Sequence, residues 1–230
     1  MGFDPSILKT LPIWFVAFLF SSTFHEAAHA FVGMKLGDPT AEDQVTLDPT
    51  PHVRREPFGM IVMPLVSFFL YGGQWMLGWA SAPYDPRWAS RHPKRAAVMA
   101  AAGPLADLLL CGLAIGVMRI GLAKGFFLPP TTDFGLDCLV VGQGGRATAL
   151  STFVSVLFST NLVLGTFNLM PFPPLDGHAV VPLALSDRLA HRWQELFDGP
   201  GRMLGLVAAV LLHQQIFTSI FFAVVAQVYG

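Results

Sequence analysis

The segment "STFHEAAHA", residues 22–30, places His25, Glu26 and His29 in a stretch that carries no other charge from residue 11 to residue 34. An apolar stretch of that length reads as a membrane-spanning helix, because a span needs about 20 apolar residues. On a helix, positions i and i+4 share one face with Cβ atoms about 5–6 Å apart, so His25 and His29 can bring two imidazole nitrogens onto one ion. Glu26 lies about 100° further round the axis and can reach a water on that ion without being a ligand. This is the pattern of a zinc hydrolase, in which two neutral imidazoles and a third ligand hold Zn2+, a fourth position keeps water, and the glutamate takes its proton. The ion brings the pKa of that water from 15.7 to about 7. A charged residue at the centre of a span costs about 2.5–3.5 kcal/mol on insertion scales, which disfavours a chance HExxH without a partner.

The whole chain has a membrane protein's composition. Of its 230 residues 53% are hydrophobic and 13% charged, with mean hydropathy +0.55, whereas a soluble domain carries about a quarter charged residues. The length suits one membrane-embedded domain over residues 1–230, with a core at 11–185 and a C-terminal span at 203–228. Lys and Arg number 14 against 15 Asp and Glu, so no overall field attracts nucleic acid and none is expected as a partner. Cys111 and Cys138 form neither a disulfide framework nor a CxxC metal pair. The first ten residues carry one lysine and no small-residue cleavage site follows, so the first apolar stretch is expected to be retained.

Four stretches, 11–34, 96–120, 147–170 and 203–228, are apolar enough to span. A fifth, 58–82, is equally free of charge but is interrupted by Pro64, Gly72, Gly73 and Gly78, and reads either as a span or as a segment that dips into the membrane and returns. No repeat is visible. The expected fold is an all-α polytopic bundle of about four to six transmembrane helices, with a re-entrant or hairpin segment near 58–82.

A tetrahedral site needs one more protein ligand, and the apolar parts of the chain offer Asp107, Asp176 and His213. Asp176 is favoured. It lies in "FNLMPFPPLDGHAV", where Pro171, Pro173 and Pro174 remove backbone donors and stop the preceding helix, and where Gly177 permits a turn that aims the carboxylate inward. Irregular backbone at membrane depth is tolerated only where it is buried in protein or lines a wet cavity. Asn161 and Asn168, seven apart, share a helical face and are candidates to hydrogen-bond a substrate backbone or an oxyanion, with interhelical polar contact as the alternative.

Topology tests this pairing. If 58–82 crosses fully, three crossings separate the HExxH from Asp176 and the two face opposite sides; if it returns, two crossings separate them and they coincide. Charge agrees, since cytoplasmic loops carry an excess of Lys and Arg. The re-entrant arrangement places Lys35, Arg54, Arg55, Arg87, Arg91, Lys94, Arg95, Arg188, Arg192 and Arg202 on one side, leaving Lys9, Arg119, Lys124 and Arg146 on the other, which is 10 against 4 of the 14. A full crossing divides the same 14 as 8 and 6. The catalytic side is therefore expected to face the cytosol.

The HExxH in an early membrane helix, with "NLMPFPPLDG" far downstream, resembles the site-2 protease family of intramembrane zinc metalloproteases, in a short form without a PDZ domain. The likeness extends through "KLGDPTA", "TLDPTPH", "PFGMIVMPL", "GWASAP" and "AAGPLADLLL". It implies zinc ligation by His25, His29 and Asp176, with Glu26 as general base and acid and Asn168 as the family's asparagine near the site. It also implies a membrane-embedded hairpin or loop after the HExxH helix that presents an extended substrate. The resemblance leads one to expect lysine at 81 and asparagine at 107, where this chain has Ser81 and Asp107. Asp107 and His178 are further candidates for a substrate contact or a contact to a ligand: the extra carboxyl of Asp107 is expected to be protonated, to pair with a base or to tune the site, and for His178 an interfacial histidine is the alternative.

His52, His92 and His191 lie in polar stretches and are expected to be solvated, whereas His213, inside the last span, is expected to be structural. Trp14, Trp75, Trp79 and Trp88 read as interfacial anchors. The function expected is an integral multi-pass endopeptidase of a bacterial or archaeal cell membrane. It would use one Zn2+ to cut a transmembrane protein substrate within or beside the lipid bilayer. The competing readings are a non-catalytic membrane binding or regulatory protein on the same scaffold, and a metal transporter.

Overall fold

Helix α1 (Leu11–Leu36) carries Pro12 in its first turn and ends at Gly37, whose φ of 103° only glycine adopts without strain. Gly37 N–H donates to the Met34 carbonyl (3.2 Å) and Asp38 N–H to that of Gly33 (2.9 Å), which closes the helix in a Schellman motif. In the computed structural model, which describes residues 5–132, 134–196 and 201–230, the polar middle of α1 faces inward: Ser21, Ser22, Thr23, His25, Glu26 and His29 are all buried.

After a short helix α2 (Thr50–Arg55), a π-type turn at Phe58–Val62 runs into helix α3 (Met63–Leu70). Gly72 and Gly73, at φ of 62° and 80°, turn the chain, which then returns extended. Leu77 N–H donates to Ser67 Oγ (2.8 Å) and Trp79 N–H to the Gly59 carbonyl (3.1 Å), so the return lies against the helix it came from. A Cβ on Gly78 would fall 2.4 Å from the Gly59 carbonyl oxygen and 2.3 Å from the Phe18 ring; two missing side chains make this crossing possible. The stretch 58–82 is thus a hairpin of one short helix and an extended return. At 1.5 Å per residue the apolar helix Phe58–Leu70 is about 20 Å long, against a hydrocarbon core of about 30 Å.

Helix α4 (Pro86–Arg91) is capped by Asp85, whose carboxylate accepts from Arg87 N–H at 2.8 Å. Helix α5 (Pro93–Ala123) follows. A minimal antiparallel ladder of β1 (Phe127–Leu128) and β2 (Val141–Gly142) leads to α6 (Ala149–Asn168), which opens with a Thr148–Ser151 capping box. Helices α7 (Asp176–Val180), α8 (Asp187–Leu196) and α9 (Gly201–Tyr229) complete the order.

Among the described residues, three helices are long and apolar enough to cross a membrane, α5, α6 and α9; α5 and α9 cover the expected spans 96–120 and 203–228, and α6 falls within the expected 147–170. The 26 residues of α1 give about 39 Å, long enough to span, and its polar middle sets it apart from those three.

Alternating small residues let α1, α5 and α6 approach closely, as membrane helix packing favours; Ala27, Ala30 and Gly33 of α1 and Ala100, Ala102 and Gly103 of α5 are buried. One apolar cluster joins α5, α6 and α9 through Met118, Phe158, Leu162 and Phe221. A second joins α1, the hairpin and α6 through Trp14, Phe18, Phe68 and Val156. The expectation of tryptophan anchors fails here for two of the four. Trp14 is fully buried and meets Trp75 edge to face, with centroids 5.7 Å apart, and Trp88 is buried as well.

Candidate metal centre

On α1, His25 and His29 project toward α5 one turn apart. His29 Nδ1 lies 2.8 Å from the carbonyl oxygen of Met99. A carbonyl only accepts, so Nδ1 carries the proton and Nε2 of the neutral ring presents a lone pair. His25 Nδ1 lies 2.7 Å from Asp107 Oδ2, which leaves its Nε2 in the same state. The two Nε2 atoms face each other at 3.0 Å.

Asp176, the first residue of α7, reaches the same point. Its Oδ2 is 3.1 Å from His25 Nε2 and 3.3 Å from His29 Nε2. Helix α6 stops at Asn168, and the proline-rich turns that follow deliver the carboxylate. Gly177 serves this placement by its size: its φ is not in the left-handed region, but a Cβ there would lie 2.3 Å from the Leu169 carbonyl oxygen and 2.5 Å from that of Met170. The turn therefore seats directly on the end of α6.

Two imidazole lone pairs and a carboxylate oxygen packed 3.0–3.3 Å apart repel one another unless a positive charge lies between them. Around an ion with 2.0–2.1 Å bonds, tetrahedral ligand separations are about 3.3 Å, so this donor set fits zinc. Among the described residues these three side chains are the one group able to hold a metal ion. Helix α5 leaves room with Gly103, where a Cβ would fall 2.3 Å from His29 Nε2 and 2.5 Å from His25 Nε2.

The centre opens into a cleft of about 1040 Å³, walled by α1, the extended return of the hairpin, α5 and the turns before α7. Glu26, Asn168 and His178 line it, together with Trp79. His178 also stacks on Trp193 (5.3 Å) and accepts a bond from its indole N–H at the main-chain carbonyl (3.1 Å). Asn161 does not reach the cleft. It is fully buried, and its Nδ2 donates to Ser21 Oγ (2.9 Å) and to the Leu157 carbonyl (2.7 Å), tying α6 to α1. Asp107 is also outside the cleft, behind His25. His213 is away from the centre, paired with Thr166 Oγ1 at 3.0 Å and set between Phe167 and Phe217.

His52 is buried at 1% exposure, contrary to its polar sequence surroundings, because α2 turns this one side chain inward while Arg54 and Arg55 stay exposed. Burial holds its pKa below the usual histidine value, with the nearby Glu26 charge opposing. His92 is exposed as expected, and the His191 side chain lies outside the described residues.

Several roles had no physical basis in the sequence pattern until the coordinates supplied one. Asp38, from "KLGDPTA", accepts from the Thr40 hydroxyl, from Thr40 N–H (3.0 Å) and from Asp85 N–H (2.8 Å), so it fastens the far end of the hairpin return to the end of α1. Burial works against its charge, but those donors hold its carboxyl below the usual carboxylate range. Ser81, from "GWASAP", donates to Glu56 Oε1 (2.7 Å) and accepts from Arg55 Nε (3.3 Å). The main-chain N–H groups of Ala80, Ser81 and Ala82 donate to no described residue.

Residues 13–212 match Peptidase family M50. The chain belongs to that family, a family of membrane zinc metalloproteases. It is 34% identical over 178 residues to "Putative zinc metalloprotease YwhC" of Bacillus subtilis (strain 168), covering 76% of this chain and 69% of that one. It is also 29% identical over 194 residues to "Putative zinc metalloprotease Rip2" of Mycolicibacterium smegmatis, covering 84% of this chain and 63% of that one. No solved structure matches the chain.

Proposed function

We propose that this M50 protein is an intramembrane zinc endopeptidase that cuts transmembrane or membrane-proximal segments of other proteins. His25, His29 and Asp176 would hold the ion, and Glu26 would be the general base and acid. The observation that carries this reading is the cluster of His25 Nε2, His29 Nε2 and Asp176 Oδ2 within 3.0–3.3 Å, with both Nδ1 atoms already engaged elsewhere.

A zinc ion held there supplies Lewis acidity, which activates water and polarises a scissile carbonyl. Glu26 stands on the cleft wall beside the two histidines; it takes the proton of the attacking water and passes it to the leaving amine. Asn168, which lines the same cleft, would hydrogen-bond the substrate backbone or the developing oxyanion. A substrate helix must unwind to offer its peptide bond. The N–H groups of residues 80–82, which donate to no described residue and lie at the cleft, suit an extended segment that adds as a strand.

The hairpin 58–82, too short in its helix to cross, would enter and leave the bilayer on one side. With α1 spanning beside α5, α6 and α9, the motifs then share a face, and the distribution of 10 against 4 basic residues favours the cytosolic one.

The test uses purified full-length wild type, Glu26→Gln and Asp176→Ala, with zinc content and cleavage of a transmembrane substrate measured together. Glu26→Gln should retain zinc and lose cleavage by about 10²–10⁴-fold, whereas Asp176→Ala should lose both. Equal cleavage by wild type and Glu26→Gln, or stoichiometric zinc undiminished in Asp176→Ala, overturns the reading.

A further inference from the structure

Asp107 is an anomaly in a spanning helix. It is fully buried in α5, lies outside the cleft, and has His25 Nδ1 at 2.7 Å from its Oδ2, while its Oδ1 is buried with no hydrogen-bond partner. It cannot touch a substrate in the cleft, and it is not one of the three converging donors. A Cβ on Gly165 of α6 would lie 3.2 Å from the Asp107 Cβ, so the backbone of α6 passes close beside it with no room for a side chain between.

The geometry points to Asp107 as a positioning residue: by accepting the Nδ1 proton of His25 it sets that ring's tautomer and orientation, so that Nε2 presents its lone pair toward His29 Nε2 and Asp176 Oδ2. The inference rests on the proposed role of His25 as a zinc ligand and extends it to the residue behind. His29 is held in the same way by the Met99 carbonyl at 2.8 Å, but there the acceptor is a main-chain group, whereas behind His25 it is a carboxyl side chain. A carboxylate behind a ligating imidazole raises its basicity as well as fixing it. Asparagine, which the family resemblance led one to expect here, is a weaker substitute. Its oxygen accepts the same proton without charge, and its amide group, if turned, donates to Nδ1 and selects the tautomer whose Nε2 cannot bind metal.

The test measures zinc affinity of the full-length protein in detergent by competition with a chelator, alongside the visible absorption of the Co2+ form and the thermal midpoint of the metal-free protein. Asp107→Leu is expected to lose about 10–100-fold in zinc affinity, the usual cost of removing such a partner, with an altered cobalt spectrum and an unchanged or raised metal-free midpoint. Asp107→Asn is expected to fall between Leu and wild type. Affinity of either variant within about twofold of wild type, with the wild-type cobalt spectrum, overturns the inference while leaving the zinc reading intact. Should Asp107→Leu not fold, Asp107→Asn alone decides by the same criterion. Failure of the wild type itself to bind zinc or cobalt overturns both.

Discussion

Replacing Gly103 by alanine adds a single methyl group where the structure has no room for it. The new Cβ would lie 2.3 Å from His29 Nε2, 2.5 Å from His25 Nε2 and 2.7 Å from His25 Cε1, against an ordinary contact of about 3.5 Å. Something must move by roughly 1 Å. Helix α5 is held to α6 and α9 by the apolar cluster of Met118, Phe158, Leu162 and Phe221. The imidazoles can give way only by leaving Asp107 and Met99, their Nδ1 partners. Metal sites tolerate distance errors of about 0.2 Å, so a displacement of that size should lower zinc affinity by at least about 100-fold, or roughly 2.7 kcal/mol. Overpacking should also cost about 1–3 kcal/mol of stability, partly offset by alanine's helix propensity, which exceeds glycine's by up to about 1 kcal/mol. Gly112→Ala and Gly116→Ala are the matched controls on the same helix, because a Cβ at either position meets nothing within 4 Å. They should leave zinc affinity unchanged. The assay is chelator competition for zinc, with thermal midpoints of metal-free protein recorded in parallel. A Gly103→Ala protein that binds zinc within twofold of wild type would refute the reasoning.

Two further outcomes follow from the surroundings of the centre. Gly78→Ala puts a Cβ 2.3 Å from the Phe18 ring and 2.4 Å from the Gly59 carbonyl oxygen, which should spring the hairpin return away from its helix; cleavage should fall by tenfold or more while zinc content stays at the wild-type level, and a variant with normal cleavage would sink the proposed strand role of residues 80–82. His52 makes the fold pH-sensitive. Its folded pKa is depressed by burial, so below the unfolded value near 6.5 the unfolded chain binds a proton that the folded chain does not. This stabilisation is present above about pH 6.5 and declines as pH falls, by at most about 1.4 kcal/mol per pH unit. Thermal midpoints between pH 7.5 and 5.5 should fall less steeply in His52→Gln than in wild type, and parallel slopes would argue against the buried neutral ring.

What could be read without coordinates was whatever short-range periodicity and the cost of charge in lipid decide. The i, i+4 spacing of His25 and His29, the apolar runs that become α5, α6 and α9, and the proline-broken turn before Asp176 are all local patterns, each legible within one stretch of chain. The remainder depended on which residues meet through space. Asp107 sits 82 positions from His25, and Asp176 sits 151 positions from it, and no local rule says which nitrogen each will face. Trp14 and His52 were misread for the same reason. Side-chain type predicts an interface or a polar loop, whereas burial is settled by the face that a neighbouring element covers. Gly59, Gly78 and Gly103 matter through the atoms opposite them, and only packing reveals what a Cβ would strike. The donor set was therefore written in the chain, while the tautomers, the room for an ion and the carboxylate behind His25 arose where α1, α5 and the turn after α6 close on one another.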